Sequence, residues 1–149
     1  MTLPRLLVVD DDADVCEFVR LALADHYDVV TETNGRRALE RLNEIKPEIA
    51  VIDLVIPGVD GLTLCEQIKS ERPQTLIVII TAVTVGSDLP DTFWRTGTHA
   101  DAFLSKPFDP QLLVATIHEL RVKRVEAKRQ AEKPTFGPLP PIARDKPEK

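Results

Sequence analysis

The sequence contains few cysteines and few aromatic residues. Its 149 residues include two cysteines, one tryptophan, one tyrosine and five phenylalanines, while 43% of the chain is hydrophobic. Two cysteines cannot form the several disulfides of a small secreted scaffold. Cys16 and Cys65, which both lie in helical patterns, are therefore predicted to be buried or half-buried thiols in a protein of the reducing cytoplasm. The interior is expected to be aliphatic, as is typical of α/β proteins.

Long hydrophobic runs and several common catalytic motifs are absent as well. No apolar run approaches the ~18 residues that a membrane-spanning helix needs, so neither a membrane segment nor a membrane partner is expected. The sequence has no Gly-rich phosphate loop, no zinc-ligand spacing and no Ser-His-Asp arrangement. His26, His99 and His118 are predicted to lie at the surface. A length of 149 residues predicts one domain with a sizeable core.

Charge is distributed unevenly along the chain. Residues 1–120 carry 10 Lys or Arg and 20 Asp or Glu, a net charge of −10, whereas residues 121–149 carry 9 and 4, a net charge of +5. An acidic body disfavours contact with the phosphates of nucleic acids, so no direct nucleic-acid binding is expected. The basic end is interpreted either as a solvated helix or as a contact for an acidic partner.

Strand-like and helix-like segments alternate along the first 120 residues. The aliphatic runs predict five strands, and a helical stripe follows the first of them at Val15, Phe18, Val19 and Ala22. Further helices are predicted to begin at Asn34-Gly35, Asp60-Gly61 and Asp109-Pro110. This alternation predicts an α/β fold with a doubly wound, five-stranded parallel sheet. The predicted strands are residues 6–9, 27–31, 49–52, 76–80 and 102–104.

The predicted inner faces of these helices are apolar, and the last helix continues beyond the sheet. The second helix is expected to bury Ala38, Leu42 and Ile45, and the third Leu64, Cys65 and Ile68. We assign residues 1–122 to the folded domain, 123–133 to a basic extension of the last helix, and 134–149 to a flexible Pro-rich tail.

Four of the predicted strands end at a polar side chain that can take part in phosphate or metal chemistry. These apolar runs are followed, in chain order, by Asp10-Asp11-Asp12, Asp53, Thr81 and Lys106. The carboxyl ends of parallel strands lie at one edge of a sheet, so the four groups are expected to converge on one cleft. Clustered carboxylates repel one another, and hard oxygen ligands of this kind suit Mg²⁺ or Mn²⁺.

This series of residues resembles the receiver domain of two-component response regulators, over about residues 4–122. The resemblance implies a flavodoxin-like sheet of strand order 2-1-3-4-5, a bacterial phosphorelay, and a signalling domain that is not a turnover enzyme. It implies that Asp53 accepts a phosphoryl group from a phosphohistidine of a sensor histidine kinase or a phosphotransfer protein. Lys106 and Thr81 would bind the phosphoryl oxygens.

The resemblance also implies a metal-ligand set and a switch. Asp11, Asp53 and the backbone carbonyl of Val55 would hold the metal ion directly, and Asp10 would act through metal-bound water. Thr81 and Phe103 occupy the positions of the family's switch pair, which remodels the face made by the fourth helix, fifth strand and fifth helix. A permanently buried Phe103 is the alternative. Further matches are Pro57, Gly61 and a cis Lys106-Pro107 bond, with Asp12 interpreted as a helix start.

The chain departs from the family pattern between Thr81 and Lys106, where it is about three residues longer. We place the insertion in Val83 to Pro90. Trp94 is interpreted as an interface anchor or as a cover for the sheet, and His99 stands where the family usually has glycine. Val55 and Val83 offer no polar group to orient a water molecule, which predicts a long-lived phosphoryl group.

Two other functions fit parts of the pattern. A haloacid-dehalogenase-type phosphatase needs a second carboxylate two residues after the nucleophile, and that position is Val55. A pseudo-receiver scaffold would normally have lost an acid, the acceptor or the lysine, and all of these are present. The output partner is expected to be another protein or a covalently attached effector domain. A phosphorylation-dependent homodimer through the long last helix is the remaining possibility from the sequence.

Overall fold

The five predicted strands form one parallel sheet. The structure, a computed structural model, describes residues 2–82 and 99–132. The strand order is β2-β1-β3-β4-β5, which confirms the predicted topology. The strands are β1 Arg5–Val9, β2 Asp28–Glu32, β3 Ile49–Asp53, β4 Leu76–Thr81 and β5 Ala102–Ser105.

Helices flank this sheet, and each predicted helix start in the described residues carries a side-chain cap. The helices are α1 Ala13–Leu23, α2 Gly35–Glu40, α3 Leu42–Ile45, α4 Gly61–Glu71 and α5 Pro110–Glu132. Asp12, Asn34 and Asp60 accept hydrogen bonds from backbone N–H groups in the first turns of α1, α2 and α4. Asp109 does the same for Gln111, at 2.8 Å. These caps satisfy backbone donors that a helix leaves unpaired at its start.

The central strands are buried along their whole apolar length. Every residue of β3 and β4 is buried, as are the last four residues of β1. Edge strands β2 and β5 are only partly covered. A parallel strand with helices on both faces of its sheet reads as a continuous aliphatic run, and this explains why the sequence marks the central strands so clearly.

Helix α1 buries a stripe that overlaps the predicted one at Val19 but excludes Phe18. Cys16, Val19 and Leu23 are buried, whereas Phe18 is 44% exposed and meets the ring of Phe108 edge-on at 6.0 Å between centroids. The prediction that Phe18 faces the core is wrong. The apolar residues of this helix form two overlapping stripes at helical spacing, and the one with the small Cys16 thiol packs against the sheet.

The predicted second helix is divided into two. Its backbone leaves helical geometry at Arg41, with φ −95° and ψ 3°, and resumes as α3. The predicted inner residues Ala38, Leu42 and Ile45 are nevertheless buried. The apolar spacing therefore predicted the buried face correctly, although it did not predict the break.

The long last helix crosses a boundary in the chain. The backbone divides into two compact units between His118 and Glu119, and α5 runs through that point. Among the described basic residues of the predicted extension, Lys123, Lys128 and Arg129 are exposed and Arg124 is half-buried. Lys123 pairs with Glu119 at 3.7 Å. The Pro-rich segment 134–149 lies outside the described residues. Over the residues that are described, no helix is both long and apolar enough to cross a membrane.

Candidate functional site

Four of the predicted site residues meet at the carboxyl edge of the sheet. The Nζ atom of Lys106 lies 2.7 Å from Oδ2 of Asp10 and 2.8 Å from Oδ2 of Asp53. Asp10, Asp11 and Asp53 each bring one carboxylate oxygen within 4.8 Å of the others. The predicted convergence of three acids and one lysine is therefore observed in the structure.

Strand register places Thr81 beside this group. Asp53 is paired with Ile80 across β3 and β4, and Thr81 is paired with Ser105 across β4 and β5. Thr81 is buried at the last position of β4, and its carbonyl accepts a 2.8 Å hydrogen bond from the backbone N–H of Lys106. Thr81, at the end of β4, and Lys106, just after the end of β5, are therefore neighbours at the carboxyl edge of the sheet.

Asp10 is the most enclosed carboxylate of the site. It is fully buried, and its Oδ1 accepts a 2.9 Å hydrogen bond from the N–H of Asp12. Its Oδ2 is close to the Lys106 ammonium but is not aligned for a hydrogen bond with any described group. Burial raises the pKa of the Asp10 carboxyl, and the Lys106 ammonium opposes this only in part. The Lys106 ammonium therefore offsets only part of the cost of burying the charged Asp10 carboxylate.

Lys106 bridges the acids as a permanently charged group. Burial alone lowers the pKa of its ammonium, but the hydrogen bond to Asp53 and the negative charges of Asp10 and Asp53 outweigh burial, so the pKa is raised. The Lys106-Pro107 peptide bond is cis, as the resemblance implies. Three carboxylates against one ammonium leave this cluster with a formal charge of −2.

Asp53 is held by the loop that follows it. Its Oδ1 accepts a 3.1 Å hydrogen bond from the N–H of Val55. Gly61, at the start of α4, packs so closely that a Cβ atom there would lie 2.5 Å from the carbonyl oxygen of Asp53 and from Cα of Leu54. Only glycine fits this approach, and Gly58 in the same loop has φ +89°, a conformation that side chains disfavour.

The donor set fits a small hard divalent cation. Three carboxylates provide oxygen ligands, one buried oxygen has no directed hydrogen bond, and the formal charge of −2 would be balanced by such an ion. Mg²⁺ prefers oxygen ligands of this kind and is usually bound by one or two carboxylates together with water. Val55 is 67% exposed, and the metal-binding role of its carbonyl remains a prediction.

Replacing Asp10 by asparagine is expected to stabilise the protein in metal-free buffer. A carboxyl with a raised pKa binds its proton more tightly in the folded state, so its ionisation makes stability fall as pH rises above 3.8. The penalty is present at pH values above this raised pKa, and Asp10→Asn removes it. We expect a gain on the order of 1 kcal/mol, since the relieved cost of burying the charge exceeds the lost attraction to Lys106.

Thermal unfolding with and without Mg²⁺ measures this effect. Mg²⁺ should stabilise the unmodified protein more than it stabilises Asp10→Asn. The matched control is Asp12→Asn, because Asp12 is exposed and asparagine is an equally good helix cap. A lower melting temperature for Asp10→Asn without metal would show that the lost attraction to Lys106 outweighs the relieved cost of burying the charge.

The two predicted switch residues differ from each other in burial. Thr81 is buried, whereas Phe103 is half-buried and packs against the hydrophobic core. Phe103 is paired with Ile79 across β4 and β5, two residues before the Thr81–Ser105 pair. The connection between β4 and β5, which includes Val83, the predicted insertion and Trp94, lies outside the described residues. His99 has φ +60°, which explains why glycine suits that position.

A buried glutamate beside the site was missed by the sequence analysis. Glu32 ends β2 and is 7% exposed. Arg41 forms a close ion pair with it, and Arg37 approaches to 3.4 Å. The backbone carbonyl of Glu32 accepts the N–H of Asp10 at 3.1 Å. An acidic residue at a strand end, followed by arginines at helical spacing, was the available signal.

Both cysteines are buried thiols, as predicted. The Sγ atom of Cys16 lies 3.3 Å from the carbonyl oxygen of Asp10. Burial raises the pKa of the Cys16 thiol to about 11 and that of the Cys65 thiol to about 12. Neither is a nucleophile at neutral pH, because the thiolate is the reactive form.

Comparison with known proteins agrees with this geometry. The family model described as "Response regulator receiver domain" matches residues 6–118. The DNA-binding response regulator MtrA of Mycobacterium tuberculosis is 31% identical over 114 residues, which are 76% of this chain and 48% of MtrA. RpaA of Synechocystis, named a DNA-binding dual master transcriptional regulator, is 28% identical over 141 residues, which are 92% of this chain and 58% of RpaA.

A solved structure shows the same fold. Response regulator DrrB of Thermotoga maritima, described as an OmpR/PhoB homolog, superposes with a TM-score of 0.72 at 26% identity. The match covers 83% of this chain and 54% of DrrB. This chain therefore spans about half the length of the relatives that it matches.

The expectation of no nucleic-acid binding is wrong. It rested on the net charge of −10 in residues 1–120, but MtrA and RpaA, which this chain resembles, are both named as DNA-binding regulators. The charge of a segment that covers about half of such a protein gives no information about the remainder. The composition of this segment therefore could not exclude nucleic-acid binding by a whole regulator of this kind.

Proposed function

The chain belongs to the response regulator receiver family, and from this premise we propose that Asp53 accepts a phosphoryl group from a phosphohistidine of a partner protein. The observation that supports this most directly is the bridge from Lys106 to Asp10 and Asp53, at 2.7 and 2.8 Å. It joins the candidate nucleophile Asp53 to the Lys106 ammonium in a cleft that also holds Asp10 and Asp11.

In the proposed transfer, a carboxylate oxygen of Asp53 forms a bond to phosphorus as the phosphorus–nitrogen bond of the donor breaks. The electron pair of that bond leaves with the imidazole, which takes up a proton. Transfer of this kind has a loose transition state, so positioning and charge neutralisation matter more than nucleophile strength. Lys106 neutralises charge on the phosphoryl oxygens, and Thr81 donates its hydroxyl to one of them.

A divalent cation would supply further charge neutralisation, and we propose that this ion is Mg²⁺. Its proposed ligands are Asp11, Asp53 and the Val55 carbonyl, with Asp10 acting through a bound water molecule. The chain's own contribution is to keep the acceptor fixed. The Val55 N–H holds one oxygen of Asp53 at 3.1 Å and Lys106 holds the other. A carboxylate that is fixed at both oxygens loses little freedom when it reacts.

We further propose that the phosphoryl group is read through Thr81 and Phe103. Attraction of the Thr81 hydroxyl toward the phosphoryl group would free space that the half-buried Phe103 ring can fill. The output would reach other proteins and, as the names of the DNA-binding relatives suggest, DNA. The proposal assigns the chain a signalling role and no turnover chemistry, because Val55 provides no second carboxylate for phosphatase action.

Intact mass spectrometry after incubation with Mg²⁺ and acetyl phosphate tests the proposed function. A gain of one phosphoryl group, which disappears when Mg²⁺ is removed with a chelator, is the expected result. No gain from a folded protein at saturating Mg²⁺ would overturn the proposal. The pseudo-receiver scaffold would then be the better interpretation of the acidic cleft.

The phosphoryl group is expected to be long-lived. Val55 is 67% exposed and lies two residues after the acceptor, where an apolar side chain cannot orient an attacking water. Decay of the phosphorylated mass after removal of acetyl phosphate should take far longer than seconds. Val55→Glu should accelerate the decay about 10-fold or more, since even a poorly placed general base should give part of the ~100-fold that a well-placed one contributes.

The control for this prediction is Leu62→Glu, which adds the same charge at another exposed apolar position. It should leave the decay rate unchanged. Hydrolysis of the unmodified protein within seconds would contradict the prediction.

A further inference from the structure

Lys106 reaches the acids from the end of a short edge strand. β5 has four residues and pairs only with β4 among the described strands. Only Leu104 of β5 is buried, while Ala102 and Phe103 are half-buried and Ser105 is exposed. A strand with so little buried surface specifies its register weakly, and a slip by one residue would turn every side chain to the opposite face.

An aspartate at the other end of β5 makes a two-point contact with the neighbouring strand. The backbone N–H of Asp101 donates to the carbonyl oxygen of Ile77 at 2.8 Å. Its Oδ2 accepts the N–H of the same Ile77, also at 2.8 Å. Ile77 is fully buried in β4, so its amide would be costly to leave unpaired. The N–H and the carbonyl of Ile77 are thus both hydrogen-bonded to Asp101.

A lysine on the adjoining helix holds this carboxylate in place. Lys69 of α4 donates its ammonium to Oδ2 of Asp101 at 3.1 Å and to the carbonyl oxygen of Thr75 at 2.7 Å. The side chains of Lys69 and Asp101 are 22% and 30% exposed, so solvent reaches the pair only in part. α4, β4 and the start of β5 are therefore joined at one point, at the edge of the sheet opposite the acidic cluster.

We propose that Asp101 is a positioning residue that sets the register of β5 and thereby delivers Lys106 to Asp10 and Asp53. Asp101 precedes Lys106 by five residues, about 16 Å of extended chain. A one-residue slip of β5 would shift Lys106 by about 3.3 Å and reverse the direction of its side chain. The contact at Ile77 opposes this slip, because no neighbouring residue of β5 provides a second carboxylate. The link to phosphorylation rests on the proposed function, whereas the register itself does not.

Thiol accessibility at two adjacent positions tests the register. Leu104→Cys and Ser105→Cys are made separately, in the full chain and in its Asp101→Ala variant. The native thiols of Cys16 and Cys65 are buried and give a low background. With Asp101 present, the cysteine at position 105 should react with a thiol reagent much faster than the cysteine at position 104. Asp101→Ala should abolish or reverse that order.

Three matched variants separate register from general stability. Asp101→Asn keeps an oxygen that can accept the Ile77 N–H, so it should keep the order of reactivity. Asp28→Ala removes an ion-paired aspartate at the start of the other edge strand, where Asp28 meets Arg5 at 2.9 Å, and should also keep it. If Asp101→Ala does not fold, the order is measured in Asp101→Glu, which retains the charge but displaces the carboxylate by one methylene. An unchanged order in Asp101→Glu would overturn the proposal.

The rate of phosphoryl uptake provides the functional measurement. Asp101→Ala should slow uptake from acetyl phosphate about 100-fold, the scale expected when a reacting group is misplaced by an ångström or more, while Asp101→Asn should restore most of the rate. A folded Asp101→Ala variant with the original thiol order overturns the inference. Failure of the unmodified protein to take up phosphoryl would instead overturn the proposed function, and the thiol measurement would still decide the register.

Discussion

Asp53→Asn is expected to take up no phosphoryl group under conditions in which the unmodified protein gains one. The amide keeps the size of the side chain and an oxygen for the Val55 N–H, but it carries no charge and is a much weaker nucleophile. The neighbouring Asp10 is a poor substitute, since it is fully buried and accepts a hydrogen bond from the Asp12 N–H. Intact mass, followed by peptide mapping of any phosphorylated species, measures the result.

The control for this experiment is Asp12→Asn. It removes the same unit of charge two residues after Asp10, from a side chain that is exposed and serves only as the cap of α1 in the described contacts. Asparagine preserves that cap. Asp12→Asn should therefore be phosphorylated like the unmodified protein. Phosphoryl gain by Asp53→Asn, mapped to another residue, would assign the acceptor elsewhere.

The five strands and the positions of the site residues could be predicted because their signals are local, whereas the strand order was implied only by the family resemblance. Buried parallel strands produce unbroken aliphatic runs, and each run in this chain stops at a polar residue. The position of Asp53 at the end of β3 and of Lys106 just after β5 follows directly. The affinity of the clustered acids for a divalent cation then follows from the side chains themselves, whereas the proposed phosphoacceptor role of Asp53 was implied by the family resemblance.

The features that sequence reasoning missed depend on contacts between different helices, strands and loops of the fold. The break at Arg41 places that side chain against Glu32, nine residues earlier and on another element. The rotation of α1 reflects a choice between two apolar stripes that only packing against the sheet decides. The close approach of Gly61 to Asp53 was likewise invisible, although the helix start at Gly61 was predicted.

Lys106→Met is expected to have two separable effects. The first is a loss of stability in metal-free buffer, because Asp10 and Asp53 would lose the ammonium that lies within 2.8 Å of each. Removing one partner of a buried ion pair costs about 3 kcal/mol. Lys123→Met is the control, since the exposed Lys123–Glu119 pair at 3.7 Å contributes about 0.5 kcal/mol or less.

The second effect of Lys106→Met is on the rate of phosphoryl uptake, which should fall about 10²- to 10³-fold. Mg²⁺ discriminates between the two effects, because a divalent cation among the acids can replace the missing charge but not the missing donor. We therefore expect Mg²⁺ to recover most of the lost stability, measured by thermal unfolding, and little of the lost rate, measured by intact mass over time. Recovery of both would mean that Lys106 only balances the charge of the acids. Recovery of stability alone would assign Lys106 a direct contact with the transferring phosphoryl group.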